Sequence, residues 1–557
     1  MKLPYISVQR FYYQSVTFWG IAAGCFLFFL SSCGRKAASH QQVFRYNQQE
    51  GIPTLDPAFA KSQPVIWAVK QLYNTLLEPD SLLELRPSLA RHWEISADHR
   101  TYTFTLRSDV YFHDNEVFPE GKGRRMTAAD VVYSLRRIML PATASPGAWI
   151  FNGKVDPDKG FIALNDSTFQ LTLLQPFHPI LGILSMQYCS IIPKEVVEKY
   201  GADFRKHPCG TGPFQFHYWD EGQALIFHKN PRYFEKDSAG IPLPYLDAVQ
   251  ISFLDSKASE FLLFRQGQID FMNDIDASFK DEVLTKKGTL KKAWEGRIQL
   301  SKSPYLNIEY FGFLMDSSIA AVKQSPTRLK KIRQAVNYGF DRTKMMTYLR
   351  NGIGTPALAG FVPAGLPSFD ADKVKGFTYN PALARQLLQE AGYPEGKGLP
   401  VMKLLSIPNY ADLANFVANQ LQEIGIRVQV EVIQKALLLE QTAKSQAVFF
   451  RGSWIADYPD AESFLAMFYS KNPAPPNYTR YTNPQLDRLY EQSLQENNDS
   501  IRYRLYQEMD RMIIADAPVV PVFYDQVIRL LQPNVTGLVN NGLNLLELRW
   551  VKITAQL

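Results

Sequence analysis

Few residues in this chain have the types and spacing of a catalytic centre. All eight histidines lie between His40 and His228. No His-Glu-x-x-His occurs, and Cys189 and Cys209 lack metal-ligand spacing, so no metal site is expected. The Gly-x-Ser-x-Gly of a nucleophile elbow is absent. Gly210-Thr211-Gly212 lacks the third glycine of a dinucleotide loop. Gly396-Lys397 lacks the upstream glycine and the following Ser/Thr of a phosphate loop. Asp457 and Asp460 form a carboxylate pair, which alone says little about acid–base work. Neither an enzyme nor a cofactor is expected. What remains is a run with both signs of charge and two large rings: Arg451-Gly452-Ser453-Trp454-Ile455-Ala456-Asp457-Tyr458-Pro459-Asp460.

A different chemistry stands near the start. The apolar stretch 16–30 (VTFWGIAAGCFLFFL) follows Lys2 and Arg10, and no acid precedes Glu50. That is the layout of a secretory signal. It ends in Leu30-Ser31-Ser32-Cys33, which is similar to a bacterial lipobox, where the cleaved chain begins with a lipid-bearing cysteine. The stretch is short of the ~20 residues that span a bilayer. Residues 1–32 are therefore expected to leave, Cys33 to carry the lipid, and 33–42 to form a polar tether. Gly34-Arg35-Lys36 lacks the acidic run associated with surface export, which favours the periplasm. In that oxidising compartment Cys189 and Cys209 are either bridged or two buried thiols. A bridge would close a loop of about 20 residues, worth on the order of 3 kcal/mol.

Removing residues 1–32 leaves 525 of the 557 residues and a net charge of +4 in place of +6. At ~150 residues per domain this suggests about three domains. So small a charge predicts no nucleic-acid partner. The 28 Tyr, 36 Phe and 8 Trp exceed what a core alone suggests and would suit a binding cleft.

The elements that must position the 451–460 run are legible. Segments 101–107 (TYTFTLR) and 168–174 (TFQLTLL) alternate at period two, as half-exposed antiparallel strands do. Residues 126–139 read as a helix that Thr127 caps with Asp130. Asn380-Pro381 and Asn483-Pro484 each open a helix. Between them lie a strand (401–407), a helix (410–424), a strand (427–433), a helix (435–444) and a strand (447–450). This β-α-β-α-β order implies parallel strands with right-handed crossovers. Ligands sit beyond the carboxyl ends of such strands, which puts binding in the segment after 450. The basic stretch 323–333, with Lys330, Lys331 and Arg333, reads as a solvated helix face. Residues 305–313 read as a strand whose rings, Tyr305 among them, could face a cleft.

With these segments placed, the chain resembles the oligopeptide- and dipeptide-binding family of extracytoplasmic solute-binding proteins of ABC importers. The resemblance runs in order through Thr54-Leu55-Asp56-Pro57, Gln71-Leu72-Tyr73-Asn74-Thr75-Leu76-Leu77 and Pro87-Ser88-Leu89-Ala90 with Trp93. It continues through Phe112-His113-Asp114, Met126-Thr127-Ala128-Ala129-Asp130-Val131, Gly210-Thr211-Gly212-Pro213-Phe214 and Asn230-Pro231. Ile332-Arg333-Gln334-Ala335-Val336-Asn337-Tyr338 with Asp341-Arg342 completes it. Asn115 stands where a glycine is common, and 118–125 is an insertion of no evident role.

The resemblance implies an α/β, two-lobed periplasmic-binding-protein type II fold with an extra domain on the first lobe. Lobe 1 would comprise 43–82, 207–302 and 519–557, the extra domain 83–206, and lobe 2 303–518. In the family's oligopeptide branch, an Asp in a Trp-x-Ala-Asp-Tyr run grips the peptide ammonium, and an Arg six residues earlier helps meet the carboxylate. Those positions are Asp457 and Arg451, with Trp454 and Tyr458 beside them. Elementary chemistry agrees, since each buried end of a peptide needs an opposite charge and hydrogen bonds. Edge-strand pairing could hold the peptide backbone without regard to side chains. The bland reading of Asp457 is a cap on a following helix. The implied partners are a peptide, the importer's permease and ATPase subunits, and the membrane through the lipid, with the protein a monomer. Alternatives within the fold are a nickel complex, haem, an oligosaccharide or an opine; outside it, a structural or chaperone-like lipoprotein.

Overall fold

The computed structural model describes residues 41–554, apart from the side chains of residues 277 and 278. The expected signal segment and Cys33 lie outside the described residues.

In chain order, β1 (Val43–Asn47) is followed by a two-stranded ribbon, β2 (Leu77–Pro79) with β3 (Leu85–Pro87). Next come β4 (Ala90–Ile95), β5 (Thr101–Leu106), β6 (Phe161–Asn165) and β7 (Thr168–Thr172), an antiparallel sheet of their own in the order β4-β5-β7-β6. Then follow β8 (Phe214–Asp220), β9 (Ala224–Lys229), β10 (Ala248–Ser252), β11 (Phe271–Asn273) and β12 (Gln299–Phe313). The last are β13 (Thr355–Pro356), β14 (Met402–Ser406), β15 (Val428–Val432), β16 (Phe449–Ile455) and β17 (Val519–Leu531).

The four-stranded sheet is half-exposed, as alternation predicts: Tyr102, Phe104 and Leu106 of β5 are buried while the threonines between them are not. The helix Ala128–Met139 packs on it, opened by a capping box in which Asp130 accepts from the Thr127 amide at 2.8 Å. The insertion finds a role here. Its Arg124 pairs with Asp130 at 2.6 Å and also with Glu195.

The large sheet runs β15-β14-β16-β12-β17-β11-β1-β10-β9-β8, with β13 on β17. Its spine is the antiparallel pair β12–β17. Gln299 to Pro304 pair with Leu531 to Gln526, and Ile308 to Gly312 pair with Tyr524 to Val519. The ladder is irregular between Pro304 and Ile308, where Tyr305 sits. On one side of the break β17 pairs β11; on the other β12 pairs β16. The apolar core divides in the same way. One cluster gathers Phe44, Tyr46, Trp67 and Phe271 with Phe104 and Phe169 of the smaller sheet. Others gather Tyr310, Phe361 and Phe450, and Phe313 with Phe449.

The β-α-β-α-β unit is present. β14 is parallel to β15 (Met402 opposite Val428) and to β16 (Leu405 opposite Phe450). Its final strand is longer than expected. β16 continues to Ile455 because β12 pairs along it, Phe311 opposite Arg451 and Asn307 opposite Ile455. Arg451 to Ile455 is thus strand, and only the segment from Ala456 lies beyond its end.

Of the two alternatives left open for the remaining cysteines the structure has the second, and one further expectation, on Arg333, needs correcting. Cys189 and Cys209 are separate buried thiols. Their sulfurs lie against different carbonyls, Ile183 at 3.4 Å and His113 at 3.5 Å. Lys330 and Lys331 are on a solvated face, but Arg333 turns inward and donates to the carbonyls of Thr327, Asp516 and Ala517. The helix that carries all three, Lys330–Tyr338, is thereby tied to the segment just before β17.

Candidate functional site

Ala456, just past β16, donates its amide to the Leu306 carbonyl at 2.8 Å, anchoring the turn to the break in β12. Ser463 then holds two neighbours. Its carbonyl accepts from the Trp454 indole at 2.7 Å, and its hydroxyl accepts from the Asp457 amide at 3.3 Å. Asp460 accepts from the Glu462 amide at 2.9 Å and so serves the start of the helix Glu462–Leu465. The N-cap itself is Ala461, without a side-chain cap, so Asp457 does not cap this helix. The Asp457 carboxylate makes no hydrogen bond or ion pair among the described residues.

Asp457 is exposed, and its open surface faces two cavities that meet at it and at Trp149. The surrounding protein desolvates it, and the charge of Glu462 adds to this, pushing its pKa up to about 6. The larger cavity, about 690 Å³, is a ring-lined chamber with Phe177, Trp454, Tyr458, Tyr469 and Tyr490 among its walls. The smaller, about 260 Å³, is lined by Trp67, Gln187, Tyr188 and Tyr305. Tyr305, Gln63 and Asn544 also line a third cavity of about 450 Å³ that reaches Lys280, Arg350 and Asp525. The first and second cavities have walls from both halves of the chain, before and after the break in β12.

Tyr458 is buried, and its phenol donates to one oxygen of Glu462 while Tyr490 donates to the other. Burial raises the pKa of Glu462 and the two phenols oppose this. The structure therefore brings Asp457, Trp454 and Tyr458 to one chamber and Tyr305 to the adjoining cavity. Arg451 it places elsewhere. Its guanidinium is paired with buried Glu309 and lies 3.9 Å above the Tyr410 ring. It lines none of these three cavities. Burial pushes Glu309 up to about 7, against the pull of Arg451. What keeps Arg451 from a ligand in these cavities is its position, against Glu309 and Tyr410 and outside their walls.

Sequence reasoning missed Glu462, Tyr490, Trp149 and Lys154. Glu462 carried a faint signal, as the next acid after Asp457 and Asp460. The others stand in no motif.

A profile of the bacterial extracellular solute-binding proteins, family 5, matches residues 84–476, and the chain belongs to that family. It is a solute-binding protein of ABC importers and not an enzyme. Among its relatives is the glutathione-binding protein GsiB of Escherichia coli O1:K1 / APEC, 27% identical over 493 residues, covering 87% of this chain and 89% of GsiB. Helicobacter pylori DppA, solved in complex with the peptide STSA, superposes with a TM-score of 0.73 at 25% identity, covering 92% of this chain and 98% of DppA. HbpA2 from Haemophilus parasuis superposes with a TM-score of 0.78 at 23% identity, covering 92% and 100%. The fold is the two-lobed, type II periplasmic-binding-protein fold of this family. No helix among the described residues is long and apolar enough to cross a membrane.

Proposed function

We propose that this protein is a lipid-anchored peptide receptor that captures oligopeptides between its lobes and delivers them to an ABC permease. The observation that carries the reading is the Asp457 carboxylate. It makes no hydrogen bond or ion pair among the described residues and stands where two cavities join. An ammonium is the natural complement of such a group. The solved relative that holds the peptide STSA and the similarity to a glutathione-binding protein support the same ligand class.

The division into lobe 1 (43–82, 207–302, 519–557), extra domain (83–206) and lobe 2 (303–518) belongs to this proposal. The separate sheet β4–β7 supports the extra domain. The irregular ladder near Pro304 and Ile308 supports a crossover there; the second would lie opposite it, near Tyr524 to Gln526, a few residues past the 518/519 boundary. Two crossing strands make a hinge, and a ligand touching both lobes favours closure by its differential affinity. Protein stripped of retained ligand should bind a mixed tripeptide pool by calorimetry and show a smaller radius of gyration in solution scattering on saturation. No heat with peptides, or identical scattering curves at saturation, would exclude a closing peptide receptor.

Anchoring at Cys33 rests on the lipobox-like run that ends there. Cys33→Ser should leave uncleaved precursor without lipid. A processed, lipid-bearing species in that variant would refute the anchor.

A further inference from the structure

The ammonium of a peptide has a partner in Asp457, but Arg451 is committed to Glu309, which leaves the peptide's other end unassigned. Lys154, in the turn before the bridge at Val155, lines the same 690 Å³ chamber as Asp457. It forms no ion pair with any carboxylate among the described residues. Its ammonium donates to the Trp149 carbonyl at 3.3 Å and lies 5.2 Å from the centre of the Phe177 ring. An ammonium has three donors, so two remain. The closest acidic influence is Glu462, whose two oxygens are taken by the phenols of Tyr458 and Tyr490. Burial lowers the pKa of Lys154, and Glu462 opposes this. The chamber therefore holds the Lys154 ammonium and two carboxylates, Asp457 and the phenol-bound Glu462, none of them in an ion pair among the described residues; Lys154 and Asp457 stand on walls from opposite halves of the chain. Rings, Phe177, Trp454, Tyr469 and Tyr490 among them, line the rest of the chamber.

We propose that Lys154 meets the ligand's terminal carboxylate while Asp457 holds its ammonium, so that the chamber takes a short zwitterionic peptide with a bulky apolar side chain. This rests on the peptide-receptor reading and adds a second charged contact to it. The chamber's size falls within the ~300–1,000 Å³ usual for small-ligand sites, which bounds the peptide to a few residues. Lys154 belongs to the segment before the break in β12 and Asp457 to the segment after it. A ligand that needs both charges is bound fully only when the two walls face each other, which couples recognition to closure.

The test is calorimetry with Phe-Ala and Phe-Ala-Ala, each as free acid and as C-terminal amide, on wild type, Lys154→Met and Lys154→Arg. Wild type should prefer the acid by about tenfold or more, the size of a hydrogen bond to a charged group. Lys154→Met should bring the acid down to the level of the amide and leave the amide unchanged, and Lys154→Arg should keep the preference. Equal binding of acid and amide by wild type overturns the proposal. So does an equal loss of both in Lys154→Met. N-acetylated Phe-Ala-Ala separates the two readings. If wild type selects the free amine but Lys154→Met leaves acid selectivity intact, the receptor stands and the Lys154 contact falls. If stripped wild type binds none of these peptides, both fall.

Discussion

Asp457→Ala lowers affinity for a free-amino peptide on the order of a hundredfold or more. Asp457 is exposed in the empty protein, but a ligand closed between the lobes would bury its ammonium against it. Losing one partner of such a buried pair typically costs ~3–5 kcal/mol, because the other charge stays buried and unpaired. Each 1.4 kcal/mol is tenfold in affinity. An N-acetylated peptide carries no ammonium, so it should bind wild type poorly and respond far less to the substitution. Calorimetry on the two peptides, with melting temperature alongside, decides the matter. An equal loss for both would make Asp457 a wall residue and not an anchor. The pKa near 6 supplies an independent readout. Below that pH the carboxylate carries a proton that must leave before it can pair with an ammonium. Affinity should therefore weaken as pH falls through about 6, by at most tenfold per unit, with proton release on binding. In the empty protein the sign is opposite. A carboxyl whose folded pKa is raised favours the fold below its unfolded value and loses that contribution as pH rises through about 6. Asp457→Asn should then melt no lower than wild type at pH 7.5, while binding the free amine poorly. A clear fall in its melting temperature would assign Asp457 a structural role.

How far the site was legible in the sequence depends on where each partner lies along the chain. Local signals carried well. Asn380 accepts from the Leu383 amide at 3.0 Å, and Asn483 accepts from Gln485 at 2.9 Å and from Leu486, as their Asn-Pro starts foretell. The β-α-β-α-β unit was legible because apolar periodicity and caps agree within it. The continuation of β16 through Arg451-Gly452-Ser453 was not. Glycine and serine read as a strand's end, and the pairing that extends it comes from β12, more than a hundred residues away. Gly452 is needed there for a non-local reason as well. A Cβ at that position would come within 2.4 Å of the Tyr310 ring. The placement of Arg451 outside the cavities depends on the same long-range contact. Its partner Glu309 lies on β12, and nothing in the 451–460 run reveals that the guanidinium is already paired. Lys154 is the converse case. It occupies an undistinguished turn, and only the packing of that turn against the Trp454–Glu462 region gives it a place in the chamber.

The largest expected loss of stability comes from Arg549→Met. Arg549 stands among three acids, contacting Glu78, Glu235 at 3.3 Å and Glu547 at 3.4 Å, and it also donates to the Tyr233 hydroxyl at 3.2 Å. Lys70 completes the cluster, 2.8 Å from Glu547 and 3.2 Å from Glu78. Burial alone would raise the Glu78 carboxyl; the Arg549 guanidinium and the Lys70 ammonium outweigh it and hold the pKa down at about 2. Removing the guanidinium leaves three acids facing one lysine. Such a loss typically costs ~3–5 kcal/mol. For a chain of this size that corresponds to a melting temperature lower by roughly 3–5 °C. The pH dependence gives the cause. A depressed carboxylate contributes stability above its unfolded pKa and loses it as pH falls through the folded value. In the variant Glu78 no longer has its main counter-charge and takes up a proton more readily. The gap between wild type and Arg549→Met should be widest near pH 7.5 and close progressively from about pH 4.5 toward 2. Equal melting at pH 7.5 would show that the five charges contribute nothing net. The cluster also bears on the site. Lys70 is on the helix Gln63–Leu72, whose Gln63, Ile66 and Trp67 line the cavity beside Asp457. A loosened cluster should therefore weaken peptide binding as well. That loss should fall on free and N-acetylated peptides alike, which separates it from the loss of the anchor itself.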